Sequence, residues 1–202
     1  MTTVTPSTAS AYSRSVLEDS LPVYDMVLTE HLVVEATVDR LFETARDFDF
    51  LTVQSPLVTA IMTLRALPTR LRGKALPGPT SLRLASDPGV LPGWLVLGQV
   101  PGHELAFGAV GQFWTADIEW RMVAPQEFTA FDEPGWGKIA CHLLVRPDGP
   151  TRTVLTYECR TATTDLAARR SMGRYWWAIR PFVGYVMRAS LRTIAHDAER
   201  SA

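Results

Sequence analysis

Residues 164–199 read TDLAARRSMGRYWWAIRPFVGYVMRASLRTIAHDAE, and this stretch decides the architecture. Leu166, Met172, Tyr175, Trp176, Ile179, Val183, Val186, Met187, Leu191, Ile194 and Ala198 recur at the three-and-four spacing that gathers side chains on one stripe of a helix. Arg169, Arg170, Arg174, Arg188 and Arg192 fall on the other side, where water is expected to hold them. Thr164 or Asp165 stands where a side-chain oxygen can accept from a free amide of the first turn. Pro181 predicts a kink rather than an end. A stripe this long needs an apolar surface to cover.

The rest of the chain supplies a sheet. Tyr24–Ala36 is rich in β-branched and apolar residues and predicts a first strand. A helix follows with Thr37 as N-cap and Val38, Leu41, Phe42 and Ala45 inward, and Ser55-Pro56 starts a second that runs to Pro68. Residues 69–93 read as a loop, with a short apolar turn at Ser81–Leu84. Strands then come in quick succession: Trp94–Val100, Glu104–Trp114, Ile118–Val123, Glu127–Phe131, Lys138–Arg146 and Arg152–Thr163. Pro101-Gly102, Pro134-Gly135 and Pro147-Asp148-Gly149-Pro150 supply turns between them. The order predicts an α+β fold, with an antiparallel meander whose concave face is covered by the closing helix. Residues 1–22 carry few large apolar side chains and read as a flexible tail, leaving a single domain over residues 23–200.

Composition narrows the function classes. The chain has 202 residues, 47% hydrophobic and 20% charged, with a net charge of −1, which asks for neither nucleic acid nor an anionic membrane as partner. No run has the length of a membrane span and the N-terminus lacks a secretory h-region, so a cytoplasmic protein is expected. Cys141 and Cys159 suit a reducing compartment as small buried hydrophobes. His31, His103, His142 and His196 are dispersed, no Cys/His pair has ligand spacing, and no phosphate loop, dinucleotide fingerprint or nucleophile elbow is present. Neither metal nor cofactor is therefore expected.

Four phrases carry a resemblance. PGHELAFGAVGQFW at 101–114, EFTAFDEPGWGK at 127–138, TYECR at 156–160, and ARR followed by YWWAIRP in the closing helix resemble a bacterial family of the START-like (SRPBCC) superfamily. That superfamily also holds polyketide cyclases, aromatases, lipid-transfer domains and plant allergens. The resemblance covers about Tyr24 to Glu199. It implies the helix-grip fold, a curved antiparallel β-sheet wrapped around a long C-terminal helix, with a cavity between them for a hydrophobic or amphipathic small molecule. The superfamily's chemistry varies, so the fold alone names no reaction.

Strand parity nominates the residues. If paired numbers in the last hairpin sum to 298 or 300, Ile139, Cys141, Leu143 and Val145 share an apolar face with Leu155, Tyr157 and Cys159, whereas an odd sum would force charges into the core. Phe107, Phe113, Trp120, Cys141, Leu143, Tyr157, Tyr175, Trp176 and Ile179 are the expected ligand-facing residues. Lys138, His142, Glu158 and Arg160 fall on the opposite face, either as a polar cluster able to move protons or as a salt-bridged, half-solvated exterior. Glu104 is a pocket-rim residue or a solvated hairpin end, and Arg180 grips an anion or reaches for water. Gly108 and Gly111 mark sheet curvature or a close approach, and Glu119 with Arg121 an exposed ion pair. Three functions fit: a binder of a lipid-like or polyketide-like molecule, a cyclase- or aromatase-type enzyme with polar groups in the same cavity, and a protein-interaction module with a filled interior.

Overall fold

The computed structural model describes residues 15–50 and 93–200. The helix expected from Ser55 to Pro68 and the loop expected up to residue 92 lie outside the described residues.

Alternation of side chains and a tight turn fix the centre of the sheet. β5 (Gly137–Pro147) and β6 (Thr153–Thr163) pair antiparallel with Cys141 opposite Cys159, so paired numbers sum to 300. The turn holds Gly149 at φ 98°, a conformation that costs glycine little. β1 (Met26–Val34) lies on the far side of β6, while β3 (Glu104–Gly111) and then β2 (Trp94–Val100) continue from β5. The short β4 (Trp120–Arg121) pairs with the end of β3. All these pairings are antiparallel, in the order β1-β6-β5-β3-β2.

Covering helices are placed by their apolar faces. α2 (Val38–Arg46) buries Leu41, Phe42 and Ala45 as its spacing predicts. The closing helix, α4 (Leu166–Arg200), runs unbroken through Pro181 and buries Met172, Trp176, Met187, Leu191 and Ile194. Asp165 starts it by accepting from the amides of Ala167 at 2.7 Å and Ala168 at 2.8 Å. Arg188 bonds Glu30 and the Glu199 carboxylate accepts from the Glu35 amide, so the helix travels alongside β1 in the same direction. An antiparallel sheet with a long C-terminal helix packed on one face is the helix-grip architecture.

Several expectations need correction. The tail expected to end near Pro22 is folded from Ser15 onward: α1 (Val16–Ser20) buries Leu17 and is followed by buried Leu21. The strand expected at Glu127–Phe131 is the one-turn helix α3 (Pro125–Phe128), because Pro125 fits a first helical turn better than a ladder. The Ile118–Val123 strand shrinks to β4, and Arg121 pairs with Glu133 at 2.8 Å rather than with Glu119. α1 and α3 together cover the other face of the sheet, where Leu17, Leu21, Val110, Phe128 and Ala140 form a second, smaller core.

Candidate functional site

The inner face, between sheet and α4, is an aromatic layer. Phe107 on β3 sits 6.2 Å from Tyr157 on β6 and 5.8 Å from Trp94 on β2, centroid to centroid. Phe50, beyond α2, closes the group at 5.7 Å from Phe107 and 6.3 Å from Tyr157. Strand parity puts these rings on one side, since Phe107 pairs with Cys141, Cys141 with Cys159, and Leu143 with Tyr157. Of the nine residues expected to face a ligand, Phe107, Phe113, Cys141, Leu143, Tyr157 and Trp176 are buried in this layer, and Trp120, Tyr175 and Ile179 pack partly buried against it. Burial pushes the Tyr157 hydroxyl and the Cys141 thiol well above their ordinary pKa, with the neighbouring sulfur groups adding to the effect. Both stay neutral at physiological pH, so neither is an activated nucleophile.

Two polar atoms inside this layer lack partners among the described residues. Thr161, on the same face of β6 as Tyr157 and Cys159, is fully buried and its Oγ1 has no hydrogen-bond partner. Ser190, on the buried side of α4 between Met187 and Leu191, is in the same position. Tyr157 makes ring contacts with Phe107 and Phe50 beside them. Buried hydroxyls are almost always bonded, and one left unpaired costs roughly 1–3 kcal/mol. Sequence reading missed Thr161, Ser190, Trp94 and Phe50. The signal for the first two was available, because Thr161 continues the Tyr157–Cys159 parity and Ser190 sits inside the helix stripe.

The polar candidates lie elsewhere. Glu104, expected on a rim or in water, is fully buried on the outer face beneath α1. It accepts from the Ser15 hydroxyl at 2.7 Å and from the amides of Val16 at 2.8 Å and Leu17 at 3.1 Å, so it takes the free first-turn donors of α1. His142 Nδ1 lies 2.6 Å away and completes the ring of partners. Lys138 is also buried there, with Nζ donating to the carbonyls of Phe128 at 3.3 Å and Thr129 at 3.0 Å, which ends α3. Burial lowers its pKa and Asp132 partly restores it. The half-solvated exterior expected for this face therefore holds along β1 and β6 but fails along β3 and β5, where α1 and α3 exclude water.

Glu158 and Arg160 do form an ion pair on that outer face, at 2.6 Å. Thr29 donates to Glu158 at 3.1 Å, and Arg160 reaches the Leu21 carbonyl at 3.3 Å and stacks 4.7 Å over the Tyr24 ring. This pair clamps the segment leading from α1 into β1. Arg180 is exposed and borders, with Arg169, Trp176 and Trp177, an open groove of about 560 Å³ at the outer end of α4. Among the described residues no cluster of three or more His, Cys, Asp and Glu could hold a metal ion, and no helix is long and apolar enough to cross a membrane.

No family model matches the chain, and no curated protein does. Among solved structures the fold is similar to a conserved protein of Geobacillus kaustophilus, at 10% identity over 87% of this chain and 97% of that one, with a TM-score of 0.40. It is similar as well to the Zhui aromatase/cyclase of a Streptomyces species, at 12% identity over 87% and 94% of the two chains with a TM-score of 0.30. A point mutant of norcoclaurine synthase from Thalictrum flavum, in complex with a transition-state analogue, matches at 11% identity over 83% and 95% with a TM-score of 0.29. Likenesses this remote carry no argument about ligand or reaction. The helix-grip architecture rests on this chain's own strand order and closing helix.

Proposed function

We propose that the chain is a member of the START-like (SRPBCC) superfamily and that it holds a hydrophobic or amphipathic small molecule, lipid-like or polyketide-like, between the sheet and α4. One observation carries the reading: an aromatic and aliphatic layer contains two buried hydroxyls, on Thr161 and Ser190, with no partner among the described residues. A mostly apolar ligand with a few polar atoms supplies what such a layer lacks, since pockets of this kind are apolar with a few polar groups that set orientation. A filled, partnerless interior has no use for them, and this weighs against a pure interaction module. A cyclase- or aromatase-type enzyme needs convergent proton-transfer groups in the same space. His142, Glu104 and Glu158, the ionisable candidates for that work, engage partners on the far face of the sheet instead, and this favours binding over catalysis.

The test is native mass spectrometry of the full chain purified from its own host, followed by titration with fatty acids and polycyclic aromatic probes. The expected result is a co-purifying small molecule, or saturable binding at one site that weakens when Thr161 is replaced by Val. Absence of both a retained molecule and any saturable probe binding would sink the proposal.

A further inference from the structure

The outward side of the first half of α4 carries groups that neither the core nor the interior site uses. Trp177 is 84% exposed and Leu166 is 70% exposed, the two exposed large apolar residues of this helix. Eleven positions separate them, which is three turns plus roughly 20°, so they project the same way about 16 Å apart. Arg169, Arg170, Arg174 and Arg180 stand around and between them, all exposed. Arg169 pairs with Asp25 at 3.2 Å, while Arg170, Arg174 and Arg180 make no ion pair with a described residue. Gly173 lies between the two apolar groups with nothing within 4 Å of the position a Cβ would take, so the helix backbone is open there. Val23, 81% exposed, lies two residues before the Asp25 that bonds Arg169. A net charge of −1 for the whole chain conceals this local concentration.

Its geometry selects among occupants. Arg169 and Arg180 border the open groove from positions eleven residues, or roughly 16 Å of helix, apart, and Arg170 and Arg174 lie outside its lining, so a single small anion would not engage all four guanidinium groups at once. The exposed apolar side chains stand singly between cations and make no contiguous patch of the kind that anchors a protein partner. A plane of anionic headgroups meets both conditions: arginines pair with phosphates while the tryptophan ring and the leucine enter the interfacial layer just beneath. We propose that this face of α4, centred on Trp177, docks the protein on the surface of an anionic lipid bilayer. The contact is peripheral and does not depend on what the interior holds.

Co-sedimentation of the full chain with vesicles tests it, comparing phosphatidylcholine alone with an equal mixture of phosphatidylcholine and phosphatidylglycerol. Binding is expected to the mixed vesicles, weaker to the neutral ones, and to fall as salt is raised. The triple variant R170Q/R174Q/R180Q is expected to bind on the order of a hundredfold more weakly, each cation contributing roughly fivefold. W177A should also weaken binding, while both variants keep the far-UV dichroism and thermal midpoint of the parent because every substituted side chain is exposed. No binding to mixed vesicles, or equal binding by parent and triple variant, would overturn the proposal. Tighter binding to a single-stranded oligonucleotide or to an acidic polypeptide, lost in the same variants, would reassign the face and overturn it too.

Discussion

Glu104 and His142 meet at 2.6 Å on the side of the sheet turned away from α4, with the carboxylate fully buried. Two residues that could have served as an acid–base couple serve instead to hold α1 down, because the carboxylate also accepts Ser15 Oγ and two amides of the helix start. Replacing it with Gln leaves those donors poorly matched in a dry site. E104Q is expected to lose about 2–3 kcal/mol of unfolding free energy. Urea denaturation reads the loss, and limited proteolysis should show new cleavage near α1. Ligand affinity should hold, and a large drop in it would contradict the structural role.

The same carboxylate gives stability a pH dependence with a defined sign. Burial alone would raise its pKa, but hydrogen bonds from His142, Ser15 and the amides of Leu17 and Val16 outweigh burial and hold it down at about 2. In the unfolded chain it titrates near 4.5, so its contribution is complete above that value and is lost as pH falls toward about 2. A difference of this size corresponds to roughly 3 kcal/mol. The stability gap between the parent and E104Q should therefore be full at neutral pH and close progressively through that acid window. A gap that stayed constant down to its lower end would show that the carboxylate charge is not what matters.

Thr161 and Ser190 make the opposite prediction. Removing an unpartnered buried hydroxyl removes a cost, so T161V and S190A in the ligand-free protein are each expected to gain about 1 kcal/mol. Thermal unfolding of ligand-free and loaded samples separates the two effects, since the same changes should weaken ligand binding. A clear loss of stability in the free protein would mean the hydroxyls already have partners.

Gly108 is a close-approach glycine. A Cβ there would come within 2.7 Å of the Ile139 carbonyl and 3.2 Å of Phe128 Cζ, and the first of these is backbone that cannot swing aside. G108A should cost about 2 kcal/mol or more by prying α3 from the sheet. Equilibrium denaturation checks it, and a neutral result would argue that the two layers are looser than described.

Asp165 does two jobs at the head of α4. It accepts from Ala168 and Ala167 with one oxygen and from the Gly135 amide with the other, and the Ala168 and Gly135 amides are the main causes holding its carboxyl below the usual range. D165A should lower the thermal midpoint by several degrees at neutral pH, and the difference from the parent should narrow once the carboxyl is protonated. A scan at neutral and acid pH reads both.

The centre of the sheet was legible because physics leaves it one solution. An odd register in the last hairpin would turn Glu158 and Arg160 into the core, and the paired residues show the even one, with Cys141 opposite Cys159. α4 was legible for a similar reason, its stripe being too long to leave in water. The outer face was not. A charged strand face predicts solvent unless a covering element is recognised, and α1 was hidden in a Ser/Thr-rich stretch where Val16, Leu17 and Leu21 were a short apolar signal. Its usual cap signal also misleads, because Ser15 makes no cap hydrogen bond and donates to Glu104, a partner 89 positions away. Glu127–Phe131 looked like a strand because short alternating segments do not distinguish a strand from one helical turn. The interior hydroxyls of Thr161 and Ser190 were passed over because small polar residues in an apolar run read as tolerated, not as unsatisfied.

Trp176 and Trp177 are adjacent in the chain and about 100° apart around α4, one 8% exposed and the other 84% exposed to solvent. Consecutive positions on one helix thus act as a pair of optical probes in different environments. Emission from Trp176 should respond to whatever occupies the interior and resist aqueous quenchers, while emission from Trp177 should be red-shifted and quenched readily until something covers it. Variants that keep one of the two rings, in a background where Trp94, Trp114, Trp120 and Trp136 are replaced by Phe, would let an occupied interior and a covered exterior be read separately.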